Sequence, residues 1–301
     1  MLINNLLYMN KPEITSPYLN LRKWNLIMGI LHLVQGLIML FLSKQTLIQI
    51  SIWLPQIDTR TRSVNVLPES WYTVNLGYVI SSFLFLSAIA HFITILPSVY
   101  DWYISNLKNK INLIRWYEYA ISSSVMVYVI AVQCGIRDGS ILLLLVGINA
   151  TMNLFGAMME LHNSALRKLS YIKQHGGNEV DTNLIELDND ANFKPNWSGF
   201  VYGCFAGILP WIVMGIYFFT SLSRLGNAEQ IPQQVKDILN NVRFIFPALF
   251  IFFNLFAINM ILQYKKIGPW KKYLFGEKSY IILSLLAKSF LAWFVWGGTL
   301  R

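Results

Sequence analysis

Seven long apolar segments recur along this chain, at residues 24–43, 72–97, 112–135, 139–161, 197–221, 243–263 and 279–299. Each is long enough to cross a hydrocarbon core of about 30 Å as a helix. A helix pairs its own backbone amides inside lipid, so runs of this length specify secondary structure as well as location. The pattern predicts an all-α membrane protein, one domain over residues 1–301 with seven transmembrane helices. Composition agrees, since 55% of the residues are hydrophobic and 13% charged, against roughly 25% charged in soluble domains. The 19 Phe, 15 Tyr and 10 Trp suit spans flanked by aromatic belts. No internal repeat or second domain is visible.

A net charge of +9 raises the question of nucleic acid. The basic residues, however, lie mostly between the apolar runs, which points to membrane lipid and to topology instead. With the N-terminus inside, fifteen of the 24 Lys and Arg residues fall in inner segments and eight in outer ones; Lys288, within the last span, is the remaining one. The bias predicts a cytoplasmic N-terminus and an extracellular C-terminus. The N-terminal stretch MLINNLLYMNKPEITSPYLN lacks a charged region leading into a signal core and cleavage site, so the first span is expected to stay as an anchor. Cys134 and Cys204 lie in apolar runs and read as small hydrophobes, with no disulfide framework.

Between the spans, VNVL in the first outer loop is expected to form a short strand after a polar turn. The loop from about 162 to 196 mixes charges with GG and DND and reads as mobile and cytoplasmic. The loop NAEQIPQQVKDILNNV is expected to hold a short helix after Pro232. None of these loops carries a nucleotide or metal motif.

The chemistry lies in the charges that enter the spans. Lys288 interrupts SYIILSLLAKSFLAWFVWGG, where an ammonium costs roughly 2.5–3.5 kcal/mol to insert. One carboxylate lies well inside a span, Glu118 in LIRWYEYAISSSVM; Asp101, Asp138, Glu160 and Glu277 fall near span ends, where water or headgroups can solvate them. From span starts near 112 and 279, a rise of 1.5 Å per residue puts Glu118 about 9 Å and Lys288 about 13 Å in from the same side. A structural salt bridge is the plainer reading of that pair. A functional reading is a Schiff base: a lysine amine condenses with an aldehyde, and the protonated product needs a nearby carboxylate in a low-dielectric cavity.

Other polar residues share this depth. His32, near Gln35 in the first span, His91 in the second, one turn from Ser87, and Ser284, one turn before Lys288, can share one hydrated cavity with Glu118 and Lys288, while Ser123 and Ser124 follow Glu118 by about one and a half turns. Candidate pocket walls are Tyr117, Met126, Trp211, Phe246, Phe250 and Phe253. Pro210 and Pro247 are expected to kink their helices, and Asn149 and Asn153 to bond a neighbouring helix. Gly147, Ala150 and Gly156 suit close helix contact. No second catalytic set is present to make the chain an enzyme.

Several stretches in order carry a family likeness: GILHLVQGLIML, SAIAHF, RWYEYAISSSVM, NATMNLFGAMMELHN, LPWIVMGIYF, FNLFAINMILQY and SLLAK. The chain resembles the heliorhodopsins, seven-helix retinal proteins of the microbial rhodopsin superfamily. The resemblance implies all-trans retinal covalently bound to Lys288, with Glu118 as counterion and Ser123 and Ser284 beside the pair. It puts His32 and His91 in an inner polar cavity. It also implies an inverted topology, a homodimer in which the first outer loop takes part, and an unidentified signalling partner. A light sensor in the cell membrane is the first expectation. A light-gated proton channel or transporter is the alternative, because some viral relatives, which occupy a host membrane, conduct protons.

Overall fold

The computed structural model describes residues 16–174, 193–226 and 243–300. The first fifteen residues, residues 175–192 of the loop expected at 162–196 and the helix expected after Pro232 lie outside the described residues. Among those described, the helices are α1 (Ser16–Leu42), α2 (Leu76–Ile95), α3 (Pro97–Lys108), α4 (Leu113–Gln133), α5 (Gly139–Gln174), α6 (Ser198–Gly226), α7 (Ile245–Tyr264) and α8 (Tyr273–Val295). Two strands, β1 (Leu47–Asp58) and β2 (Ser63–Asn75), separate α1 from α2, and a π-helical turn at Trp296–Leu300 ends the chain.

Six of these helices are long and apolar enough to cross a membrane: α1, α2, α5, α6, α7 and α8 with its π-helical turn. The chain is an integral multi-pass membrane protein. The expected third span also forms a helix, the 21-residue α4, but it is not among the six, because Arg115, Glu118 and Ser122–Ser124 dilute its apolar character. It packs against α2 and α5 and contributes a broad buried face. Around the bundle, α1 packs on α2, α5 on α6, and α7 on α8, which returns to α1.

Several boundaries differ from the sequence expectation for physical reasons. The loop before α2 is a two-stranded antiparallel hairpin, longer than the short strand expected, and β2 takes residues 72–75 from the expected second span. Asn75 then caps α2 by accepting from the Gly77 N–H at 3.1 Å. At the other end α2 stops at Ile95, because Leu96 is extended ahead of Pro97, which opens α3. That helix buries Tyr100, Tyr103, Ile104 and Leu107, the spacing of one helical face. Pro247 does not kink α7: it lies in the first turn, where a missing N–H breaks no helical bond. Pro210 does sit inside α6.

The hairpin turn is held by Asp58, whose carboxylate accepts from the backbone of Arg60 and Thr61. Hydrogen bonds from Thr61, side chain first, and from Arg60 keep that exposed carboxyl below its usual range. A bulge at Ile50/Ser51 brings the Ser51 N–H to the Arg137 carbonyl at 2.9 Å, docking the hairpin root beside the end of α4. Lys44 donates its backbone N–H to Leu300, so the chain's C-terminal turn lies at the same end. The largest apolar core, including Ile50, Val132, Leu291 and Leu300, fills this half of the bundle. Most of the buried charge is in the other half, at the end where α4 begins.

Candidate functional site

Lys288 and Glu118 meet. The lysine Nζ donates to Glu118 Oε1 at 2.7 Å and to Ser284 Oγ, one turn back on α8, at 3.0 Å. The lysine side chain is 3% exposed and the glutamate 10%. Ser87 on α2 donates a second bond to the same carboxylate oxygen at 2.7 Å. The ammonium also lies 5.4 Å from the ring centre of Tyr119.

Beside this pair opens a cavity of about 380 Å³ between α4, α5, α6, α7 and α8, a size suited to a small organic ligand. Its walls are overwhelmingly apolar and it reaches Lys288 and Ser284. Met126, Trp211, Phe250 and Phe253 line it, with Trp211 meeting Phe246, Phe250 and Phe253 edge-on at 5.2–5.4 Å. Tyr117 faces outward instead; Trp116 and Tyr119 supply the α4 wall. On α6, Gly199, Gly203 and Gly207 recur every fourth residue; a Cβ on Gly199 or Gly207 would press against α5 at Phe155, Met159 or Met152, and one on Gly203 would touch it. The sequence signal was this GxxxGxxxG spacing, and the small residues let α5 and α6 approach closely beside the cavity. Gly156 likewise leaves room for the Trp116 ring, whereas Gly147 faces open space and makes no such contact.

Ser123 lines the cavity but does not bond to the charged pair. Its Oγ accepts from Asn149 at 2.8 Å and from Asn153 at 3.1 Å, and Asn149 also donates to Ser124. The two asparagines thus tie α5 to α4. His32 and His91 stack with ring centres 5.6 Å apart, and His91 Nδ1 lies 2.8 Å from Asn25 Oδ1. Gln35 is placed elsewhere: its Oε1 accepts from Trp293 at an exposed contact between α1 and α8.

A second, smaller cavity of about 40 Å³ is lined by Ser87, His91, Glu118 and Ser284 and also by Asn112, Arg115 and Glu277. It has room for ordered water. Arg115 lies between two carboxylates: Nη1 donates to Glu277 at 2.5 Å and Nη2 to Glu160. Asn112 donates its backbone N–H to Glu160 and its side-chain amide to Glu277. The Arg115 guanidinium rests 3.9 Å from the Tyr280 ring centre. Glu160 and Glu277 were expected at solvated span ends and are instead 1% exposed. The reason is helix length: α5 continues to Gln174 and α8 starts as early as Tyr273, which carries both carboxylates inside the bundle.

An amine held against a carboxylate at the wall of an apolar, aromatic-lined cavity is chemically able to hold an aldehyde. The heliorhodopsin family model matches residues 21–178 and 182–300. The chain belongs to the heliorhodopsin family. No curated protein matches it. Heliorhodopsins are photoreceptors of the microbial rhodopsin superfamily, and the cavity, its lysine and its carboxylate fit that membership. Ser87, Tyr119 and the Arg115 cluster were the residues that sequence reasoning missed. In the sequence Ser87 stands out only as a neighbour of His91, and Arg115 only as one of the fifteen inner basic residues.

Proposed function

We propose that this heliorhodopsin is a light-sensing photoreceptor carrying all-trans retinal covalently on Lys288, as a protonated Schiff base offset by Glu118. The observation that carries the reading is the 2.7 Å contact between those two side chains at the cavity wall. Bound there, retinal supplies light absorption and isomerisation. The protein's own groups do the rest. Lys288 would hold the group through its amine nitrogen, and Glu118 would take up the ammonium proton and offset the positive charge at that nitrogen. Ser87 and Ser284 hold that carboxylate and that nitrogen in register. Met126, Trp211 and Phe250 exclude water from the apolar side. With α4 counted as a crossing, the chain spans the membrane seven times with its N-terminus in the cytoplasm, as the distribution of lysine and arginine supports.

Adding all-trans retinal to the purified chain tests this directly. A visible absorption band should form, and should be absent in Lys288→Ala. Failure of the native chain to take up retinal would remove the photoreceptor reading. Glu118→Gln should move the band and change its pH titration.

A light-gated proton channel or transporter is the second reading. It is favoured by the small polar cavity that links the Glu118 site to Arg115 and Glu277. Voltage-clamped photocurrents separate the two: a current that follows the proton gradient supports conduction, and silence supports sensing through an unidentified signalling partner. The exposed apolar hairpin supports a homodimer.

A further inference from the structure

The end of the bundle that holds Arg115 is edged with lysines. The connection from α7 to α8 reads KKIGPWKK over residues 265–272. Lys265, Lys271 and Lys272 are exposed, as are Ile267 in their midst and Phe275 in the first turn of α8. The carboxylate closest in sequence, Glu277, is buried against Arg115 and Asn112, so it offers these lysines no counterion.

The connection has a defined shape. Positive φ angles at Lys266 and Gly268 reverse the chain, and a 3-10 turn at Gly268–Lys271 follows. Trp270 is pinned by its Nε1 bond to Asn259 at 2.6 Å and by an edge contact with Phe275. Beside it, α3 packs through Tyr103, Ile104 and Leu107 in one apolar cluster with Tyr273 and Leu274, and leaves Trp102 exposed. Lys265 follows the end of α7, where a cation complements the helix dipole. Lys271 and Lys272 precede α8, where the dipole repels a cation. Among the described residues, neither the helix dipole nor Glu277 gives a reason for that second pair.

We propose that this basic and aromatic edge seats the headgroup of an anionic phospholipid. The phosphodiester pairs with Lys265, Lys271 and Lys272, and the acyl chains descend past Ile267 and Phe275. The chemistry required is a phosphate anion joined to hydrocarbon, which a lipid of the surrounding leaflet combines and a free phosphate does not. The inference stands whether or not Lys288 carries retinal.

Native mass spectrometry of the full chain in detergent tests it, by titration with phosphatidylglycerol or with phosphatidylcholine of the same acyl chains. Phosphatidylglycerol should bind at least about tenfold more tightly, since each juxtamembrane lysine contributes about fivefold. The triple variant Lys265→Gln, Lys271→Gln, Lys272→Gln should lose that preference. The corresponding triple arginine variant should retain it, which separates loss of charge from loss of fold, and Lys44→Gln at the hairpin end should leave it unchanged. Equal binding of the two lipids, a preference that survives the triple glutamine change, or displacement by millimolar inorganic phosphate would each overturn the proposal.

Discussion

Removing either partner of the Lys288–Glu118 pair should destabilise the retinal-free protein far more than removing both. At 2.7 Å and an effective dielectric of about 20, the gross attraction is on the order of 6 kcal/mol. Desolvation offsets much of it, and breaking a buried pair by deleting one partner costs roughly 3–5 kcal/mol. The two single changes are not equivalent. In Lys288→Met the carboxylate keeps the neutral Ser87 hydroxyl but loses its charged partner, so a buried anion is left uncompensated. In Glu118→Gln the amide oxygen still accepts from Ser87 and Lys288, but the ammonium retains only neutral partners, among them Ser284. Each single variant should therefore lower the melting temperature in detergent by about 6–20 °C, taking roughly 2–4 °C per kcal/mol as for large domains. The double variant Lys288→Met, Glu118→Gln should recover most of the loss, since a neutral pair leaves no charge uncompensated. Circular dichroism melts of the four proteins complete the cycle. Additive losses, or single losses equivalent to less than about 1 kcal/mol, would refute a charged, buried pair in the resting protein.

Three further outcomes follow from the same geometry. Arg115→Lys should melt lower than the native chain, because one ammonium cannot reproduce the two-sided contact with Glu160 and Glu277; each lost charged bond is worth about 1.5–3 kcal/mol, and an unchanged melt would show that the cluster is not holding α4, α5 and α8 together. Gly156→Val should destabilise by about 1–3 kcal/mol, since even its Cβ would lie 2.3 Å from the Trp116 ring; denaturation with and without retinal checks whether the cavity wall shifts as well. Ile57 and Val64 face each other across the hairpin and are 74% and 65% exposed. Changing both to Glu should convert a dimer to a monomer in light scattering of the detergent-solubilised chain, and a dimer that persists would remove the hairpin from the interface.

The reach of sequence reasoning differed from residue to residue. Lys288 and Glu118 were legible because an ionisable group in an apolar run stands out against its neighbours, and a helical rise is enough to compare their depths. Met126, Trp211 and Phe250 were legible only as wall candidates, because aromatic residues at helical spacing also serve ordinary packing. Tyr117 was misplaced by rotation about the helix axis: its neighbours Trp116 and Tyr119 face the cavity, and a single helix does not announce which face meets another. Glu160 and Glu277 were read as solvated for a related reason. Their burial depends on how far α5 and α8 run beyond the lipid-length core, and charged or polar residues near a helix end obscure that continuation.

What the sequence determined by itself is the membrane class, the order of the long apolar segments and the identity of the lysine and carboxylate that interrupt them. These follow from local quantities: run length, apolar content and the cost of placing a charge in hydrocarbon. The tertiary structure decided the rest, namely that Ser87 reaches Glu118 from α2, that Arg115 is shared between α5 and α8, and that glycines on α6 bring α5 close beside the cavity. Each of those contacts joins residues far apart in the chain, and their meeting is set by helix rotation and packing, which no single segment encodes.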